Sequence, residues 1–538
     1  MLSVQVLQVK ICFGFERWGN MRLKKMMALV LAGAMTLSMA ACSGNTTTDE
    51  TTQGTTTKAV QDNTTATTAG DDTKVTTPAE TTTPAETTPA KSEGELLAEK
   101  YTGFIETPMD LGGRTIRLVS DQSNRYVYAK DAAGNPDPDN TSNETIEIVE
   151  AIKSIEKDYN CTIEIEQLKG KSLITALLTE QAAGNAYCDI LEFGCSSTYL
   201  EQIYGASLCM DLNDPRVADI IKLDVNPWLP ASNFGLWVGA QYGVHFKTNN
   251  SPDLLRGVML FNKDLAAQYG LGDIYELYRN KEWTFDKLTE MCAKVMAQSD
   301  GTVYPLMYNQ EGLWMPMLIY ANGGSMAAYE DSKFKFTGLT DNTLEAVNYA
   351  VDWKQKGYLH PKSEARSENE VNFANGEAIF FVANYAALKK YTQGKIECNY
   401  EIGLLPGPMG PHGNGEYNAV SYTEAMFNIM DNVEKPEEVA AVLVALANRT
   451  GKHDMIETEL MYTLQDEESA ETLQLMYDNM VCDYSRSIST TRGVVSGACK
   501  SIMNLEKTPK EAYEEIASKV QAYFDEYNTT GKITKVEE

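Results

Sequence analysis

Cys161–Glu166 reads C-T-I-E-I-E, and Cys188–Gly194 reads C-D-I-L-E-F-G. In the first stretch Cys161, Ile163 and Ile165 alternate with polar residues, the period of a half-buried strand. The second is a short apolar run of the kind a buried strand needs. Between them K-S-L-I-T-A-L-L-T-E-Q-A-A-G (171–184) carries apolar residues at 173, 174, 177 and 178. That spacing lines one helix face, and Gly184 is placed to end the helix in a left-handed cap. Upstream, T-I-R-L-V-S (115–120) is another β-type run, and 144–159 sets Val149, Ile152, Ile155 and Tyr159 on one helical side. This β-α-β-α-β rhythm predicts a mainly parallel α/β sheet, whose ligands sit beyond the carboxyl ends of the strands.

Two motifs in this region suggest other chemistry. G-K-S (170–172) has the tail of a phosphate-binding loop, but position 165 is Ile where the motif needs glycine, so it is rejected. The loop D-A-A-G-N-P-D-P-D-N (131–140) spaces its aspartates as a calcium loop would, yet lacks the closing glutamate and reads as a turn.

After Tyr242 the pattern changes. R-G-V-M-L-F-N-K-D-L (256–265) is a strand running into a helix, and Thr284 caps an amphipathic helix in E-W-T-F-D-K-L-T-E-M (282–291). Residues 339–357 form a helix capped near Asn342 and closed by Gly357. Two apolar runs, 376–385 and 419–430, each read as a strand. Pro436 suits a helix start, and T-P-K-E (508–511) is a capping box before the last helix. A run of helices thus interrupts the first pattern, as a second lobe would. The Leu-rich and Ala-rich stripes are read as core.

The chain has 538 residues, enough for more than one core, and a net charge of −29, which argues against a nucleic-acid partner. Its four histidines, at 245, 360, 412 and 453, form no local metal motif, and no metal or cofactor is expected. Its ten cysteines include no C-x-x-C pair; an exported chain could form one or two disulfides, whose pairing the spacing leaves open.

Location is written near the start. M-R-L-K-K (21–25), the apolar run 26–41 and the small residues before Cys42 are the three parts of a secretory signal. The sixteen residues of that run fall short of the ~20 that a spanning helix needs. Residues 1–20 precede a better start at Met21 and read as a misassigned leader. The run A-A-C-S-G (40–44) resembles the lipobox of bacterial lipoproteins, with Cys42 at the acylated position and Met39 where leucine is commoner. Residues 42–98 then form a Thr/Pro-rich tether with too few aliphatic side chains to offset its ordering entropy. The expected location is the extracellular face of the cell membrane, attached through lipid alone.

Further segments, in order, resemble the extracellular solute-binding proteins of ABC importers, family 1, the maltose-binding-like group. They are D-I-L-E-F-G (189–194), M-L-F-N-K-D-L (259–265), E-W-T-F-D-K-L (282–288), M-Y-N-Q-E-G-L-W (307–314), N-G-E-A-I-F-F-V-A-N-Y (375–385) and G-L-L-P-G-P-M-G-P (403–411). The resemblance implies a periplasmic-binding-protein-like α/β fold of two lobes, a hinge and an interlobe ligand cleft. By analogy lobe one holds 111–258 and 383–430, and lobe two holds 259–382 and 431–538. The hinge falls near Val258–Phe261 and Val382–Tyr385. It also implies a monomeric, non-enzymatic receptor that hands a mono- or oligosaccharide to permease subunits.

A sugar presents hydroxyl rims and apolar ring faces, so its receptor needs aromatic platforms beside carboxylates and amides. Candidates at strand ends and family cleft loops are Glu192, Phe193, Asn309, Glu311, Trp314, Asn384, Tyr385, Tyr422 and Glu424. Each aromatic could equally pack in the core, and Glu424 could be a buried carboxylate or a hinge ion pair. Two other functions share these features: a tethered glycoside hydrolase with a carboxylate pair, and a ligand-sensing subunit of a signalling system. No G-x-S-x-G or H-E-x-x-H motif supports an enzyme.

Overall fold

A computed structural model describes residue 96 and residues 100–530, except 122–124, 139–140, 195–199, 224–234, 247–251, 362, 422–424 and 452–454. The leader, the signal segment, Cys42 and the tether (Leu96 apart) lie outside the described residues, as do Tyr422 and Glu424. Residues 88–538 form one compact unit.

Arg114–Ser120 (β1), Cys161–Gln167 (β2) and Ile190–Gly194 (β3) are parallel strands linked by helices Asn143–Asp158 (α1) and Gly170–Ala182 (α2). Ile116 lies opposite Ile163, and Leu118 opposite both Ile165 and Ile190, so the alternating apolar residues share one sheet face. Ser142 caps α1 by accepting the Thr145 N–H, and Gly184 takes a φ of +81° beyond α2. Leu173, Ile174 and Leu177 are buried as expected. Leu178 is instead 42% exposed, because α2 covers the sheet through a stripe only three residues wide. The core also begins earlier than Leu111, since Tyr101 and Phe104 are already buried.

Leu200–Gly205 (α3) follows β3, and Gly243–Val244 (β4) precedes the chain's first departure from this sheet. A second sheet then forms from Val258–Asn262 (β5), Tyr304–Tyr308 (β6), Ala378–Ala383 (β7) and Ile402–Leu405 (β8), in the order β8-β5-β7-β6. β5 runs antiparallel to both neighbours, while β7 and β6 are parallel. Helix Glu311–Ala321 (α4) follows β6, and Tyr385–Thr392 (α5) follows β7. The chain returns to the first sheet with Ala425–Ile429 (β9), antiparallel to β3 and β4, which completes the order β2-β1-β3-β9-β4. Pro436–Arg449 (α6) packs on α1 and β9, and the chain then goes back to the second lobe for its closing helices. Among these are Ser489–Met503 (α7) and Pro509–Thr530 (α8). Thr508 and Glu511 form the reciprocal capping box at the start of α8.

Three passages therefore join the lobes, one between β4 and β5, one between β8 and β9, and one after α6. This corrects the sequence-based division at two places. Residues 383–405 stay with lobe two, because α5 buries Tyr385, Leu388 and Tyr391 in the lobe-two core and β8 pairs with β5. Val382–Tyr385 is thus no crossing. Helix α6 belongs with lobe one, where Val439 to Ala447 are buried nearly all round, among α1, β9 and helix Ala218–Ile221. The run 419–430 is also two strands. Ala419–Ser421 pairs with Met480–Cys482, and only β9 joins the first sheet.

Candidate functional site

Helices that follow a strand of each lobe meet at α7. Helix α3, which follows β3, brings Glu201 against the α7 N-terminus, where its Oε1 accepts the Ser489 N–H at 2.8 Å. Helix α4, which follows β6, packs along α7. Arg486 lies between these helices and donates to Ser496 Oγ at 3.0 Å. A Cβ on Gly312, in the first turn of α4, would lie 2.2 Å from Arg486 Nη1, so only glycine lets the guanidinium seat there. Asp483 is fully buried; its Oδ1 accepts from the Ser485 N–H and hydroxyl, and its Oδ2 has no partner. Burial raises its pKa, against the pull of Ser485 and Arg486.

At the lobe-two edge, Asn309 and Asn384 follow adjacent strands, and the Asn309 N–H bonds to the Val382 carbonyl at 2.8 Å. Asn309 donates through Nδ2 to Glu370 Oε1 at 3.3 Å, and Glu370 Oε2 accepts from Lys390 at 2.6 Å. The Oδ1 atoms of Asn309 and Asn384 and the Trp314 Nε1 are buried without hydrogen-bond partners. Buried polar atoms are rarely left so. Glu311 opens α4, and the Tyr308 hydroxyl beside it is raised above its ordinary range by burial and by that carboxylate.

The remaining predicted residues are occupied by the protein itself. Glu192, fully buried in the middle of β3, accepts from Arg125 Nη1 and from the Ser120 hydroxyl, both at 2.6 Å, and from the Tyr126 hydroxyl. Arg125 also holds Glu144. Burial alone would lower the Arg125 pKa, but the two carboxylates carry it above its ordinary value. Phe193 stands edge-on to Tyr204 at 5.6 Å in the core. Trp314 has no exposed surface and stacks on Tyr308 at 5.7 Å, 13° from parallel. Tyr385 is equally buried and donates to Glu459 Oε2 at 2.8 Å. Lobe-two edge residues Asn309, Glu311 and Asn384 thus come together; Glu192 and Phe193 sit in the lobe-one interior. Glu201, Asp483 and Arg486 were not foreseen. The only sequence signal for the last two is a charged pair in D-Y-S-R-S (483–487) ahead of an apolar helix.

Other candidate features resolve simply. Asp131 accepts the Ala133 and Asn135 N–H groups, so 131–135 closes on itself as a turn; residues 139–140 of that loop lie outside the described residues. Among the described residues no three His, Cys, Asp or Glu side chains converge as metal ligands, and no helix is long and apolar enough to cross a membrane. No disulfide joins the seven described cysteines to one another, and burial pushes the Cys161 and Cys499 thiols up to about 11. A depression of about 570 Å³, lined by Gly323, Ser325, Thr337 and Asn342 among others, lies at the far end of α4.

Three solved structures share this fold. The sugar-binding protein MalE of Xanthomonas citri is 14% identical, with a TM-score of 0.53 over 77% of this chain and 98% of its own. The galacto-N-biose-/lacto-N-biose I-binding protein of a Bifidobacterium longum ABC transporter, in complex with lacto-N-biose, is 13% identical, with a TM-score of 0.52 over 79% and 100%. A cyclo/maltodextrin-binding protein complexed with maltotetraose is 16% identical, with a TM-score of 0.51 over 78% and 98%. No curated protein matches the chain in sequence. Residues 150–449, more than half the chain, match the family model described as bacterial extracellular solute-binding protein. With that match and its two-lobed fold, the chain belongs to the bacterial extracellular solute-binding proteins.

Proposed function

We propose that the protein captures a small carbohydrate in the seam between its lobes and delivers it, chemically unchanged, to the membrane subunits of an ABC importer. The observation that carries this reading is the approach of α3 from lobe one and α4 from lobe two to the same helix, α7, with the unpartnered amide oxygens of Asn309 and Asn384 at adjacent strand ends of lobe two. Solute contacting both lobes would favour the arrangement in which they meet. The sugars held by two of the fold-mates, maltotetraose and lacto-N-biose, support a carbohydrate. Asn309, Glu311 and Asn384 would offer hydrogen bonds to its hydroxyls. Lipid on Cys42 would hold the receptor at the outer face, with 42–98 as its leash and the protein acting as a monomer.

The test is a thermal-shift screen of the full chain against oligosaccharides, polyols and peptides, followed by recovery of the stabilising compound. Stabilisation of roughly 2.7 kcal/mol at a hundred times the dissociation constant is expected, with the sugar returned intact. Release of new reducing ends would favour a hydrolase.

A further inference from the structure

Helix α7 lacks a cap of its own. Its N-cap position is Ile488, which has no side chain able to accept a hydrogen bond, and none is made there. The free N–H groups of a fifteen-residue helix, carrying the positive end of its dipole, are thus left open by the local sequence. They are not left open in the fold. Glu201 Oε1 accepts from Ser489 N–H at 2.8 Å and Thr490 N–H at 3.3 Å, and the Ser489 hydroxyl donates to Oε1 at 2.9 Å. Glu201 comes from α3 in the other lobe, 288 positions earlier, and is only 2% exposed. No lysine, arginine or histidine pairs with it among the described residues.

A second group of contacts lies beside this one. Trp237, on a hairpin tied to lobe one by the Leu212 N–H to Gln241 carbonyl bond, is buried against Tyr527 of α8 at 5.0 Å and Phe334 at 5.7 Å. The Tyr527 hydroxyl in turn meets Thr490 Oγ1 at 2.5 Å. The tip of the same hairpin donates the Gly239 N–H to the Tyr329 hydroxyl of lobe two at 2.7 Å.

We propose that Glu201 is a positioning residue for closure: it caps α7 only when the lobes meet, so that parting them uncaps the helix at the centre of the seam. A buried carboxylate without a cation has no other group to offset its desolvation, so its hydrogen bonds tie the α7 start to the position of α3. Ordering of α7 and docking of the lobes are then one event. This rests on the proposed reading in that solute entry requires the lobes to part.

Site-resolved amide exchange of the full chain, measured without any sugar, tests the inference separately from the ligand. Glu201→Ala should speed exchange at Ser489 and Thr490 by roughly five- to ten-fold, the worth of a lost cap. It should also speed exchange at Gly239, which does not touch Glu201 but is bonded across the lobes. Glu201→Gln, which retains an acceptor oxygen, should restore most of the protection. Unchanged exchange at Ser489 and Thr490 would overturn the proposal. Faster exchange there with Gly239 unaffected would overturn it too, since the cap would then be purely local. If Glu201→Ala does not fold, Ser489→Ala removes only the hydroxyl contact; a smaller rise at both Thr490 and Gly239 supports the proposal, and no rise contradicts it.

Discussion

His245 is buried beside the end of β4, and its Nδ1–H donates to the Ala425 carbonyl at 2.7 Å. Burial, aided by the nearby Arg125, lowers its pKa to about 4, against the opposing pull of the Ala425 carbonyl and Glu144. The folded imidazole is therefore neutral where the unfolded one is protonated. Its contribution is complete above about pH 6.5 and is lost as pH falls toward 4, by up to about 3 kcal/mol. Urea unfolding across that range should show this loss, and His245→Gln should flatten it. Trp314 gives a second test. Packed without exposed surface between Tyr308 and Trp353, it should cost about 3–5 kcal/mol of unfolding free energy when replaced by alanine. Unchanged stability with weakened sugar binding would return it to the cleft wall. At this scale the sequence located strand ends well, because apolar periodicity marks them. It could not say which polar atoms there are already taken. Nothing local to D-I-L-E-F-G announces that Ser120, Arg125 and Tyr126, more than sixty positions earlier, occupy the carboxylate of Glu192.

Among the elements, those with local punctuation were legible. Thr284 caps its helix by accepting the Lys287 N–H, Pro436 starts α6, and Gly357 closes the preceding long helix at a φ of +75°. That helix, Asp341–Gln355, is capped two residues earlier than expected, since Thr340 rather than Asn342 holds the N-cap position. Elements whose role depends on a distant partner were not legible, α7 and its borrowed cap above all. Gly257 is a further instance. It precedes β5 at the first passage between lobes with a φ of +73°, and a Cβ there would lie 2.6 Å from the Leu313 carbonyl oxygen of α4. Gly257→Ala combines left-handed strain with a backbone clash and should lower stability by roughly 2–4 kcal/mol, read from the urea midpoint. An unperturbed midpoint would mean that this passage and α4 can separate freely.

Over the whole molecule, the two-lobed α/β class followed from the switch between an alternating β-α pattern and a helix-rich one. The assignment of 383–405 and of α6 failed because lobe membership is set by long-range pairing: β8 to β5, and α6 to α1. An apolar helix carries no label for the sheet it covers. What unites the molecule is a seam where α3 of lobe one and α4 of lobe two both meet α7. The most direct test is amide exchange of the full chain with and without the oligosaccharide that stabilises it. Solute held between the lobes should slow exchange at 309–314 and 384–385 of lobe two together with 200–205 of lobe one. Protection confined to one lobe, or to the depression at 323–342, would contradict capture in the seam.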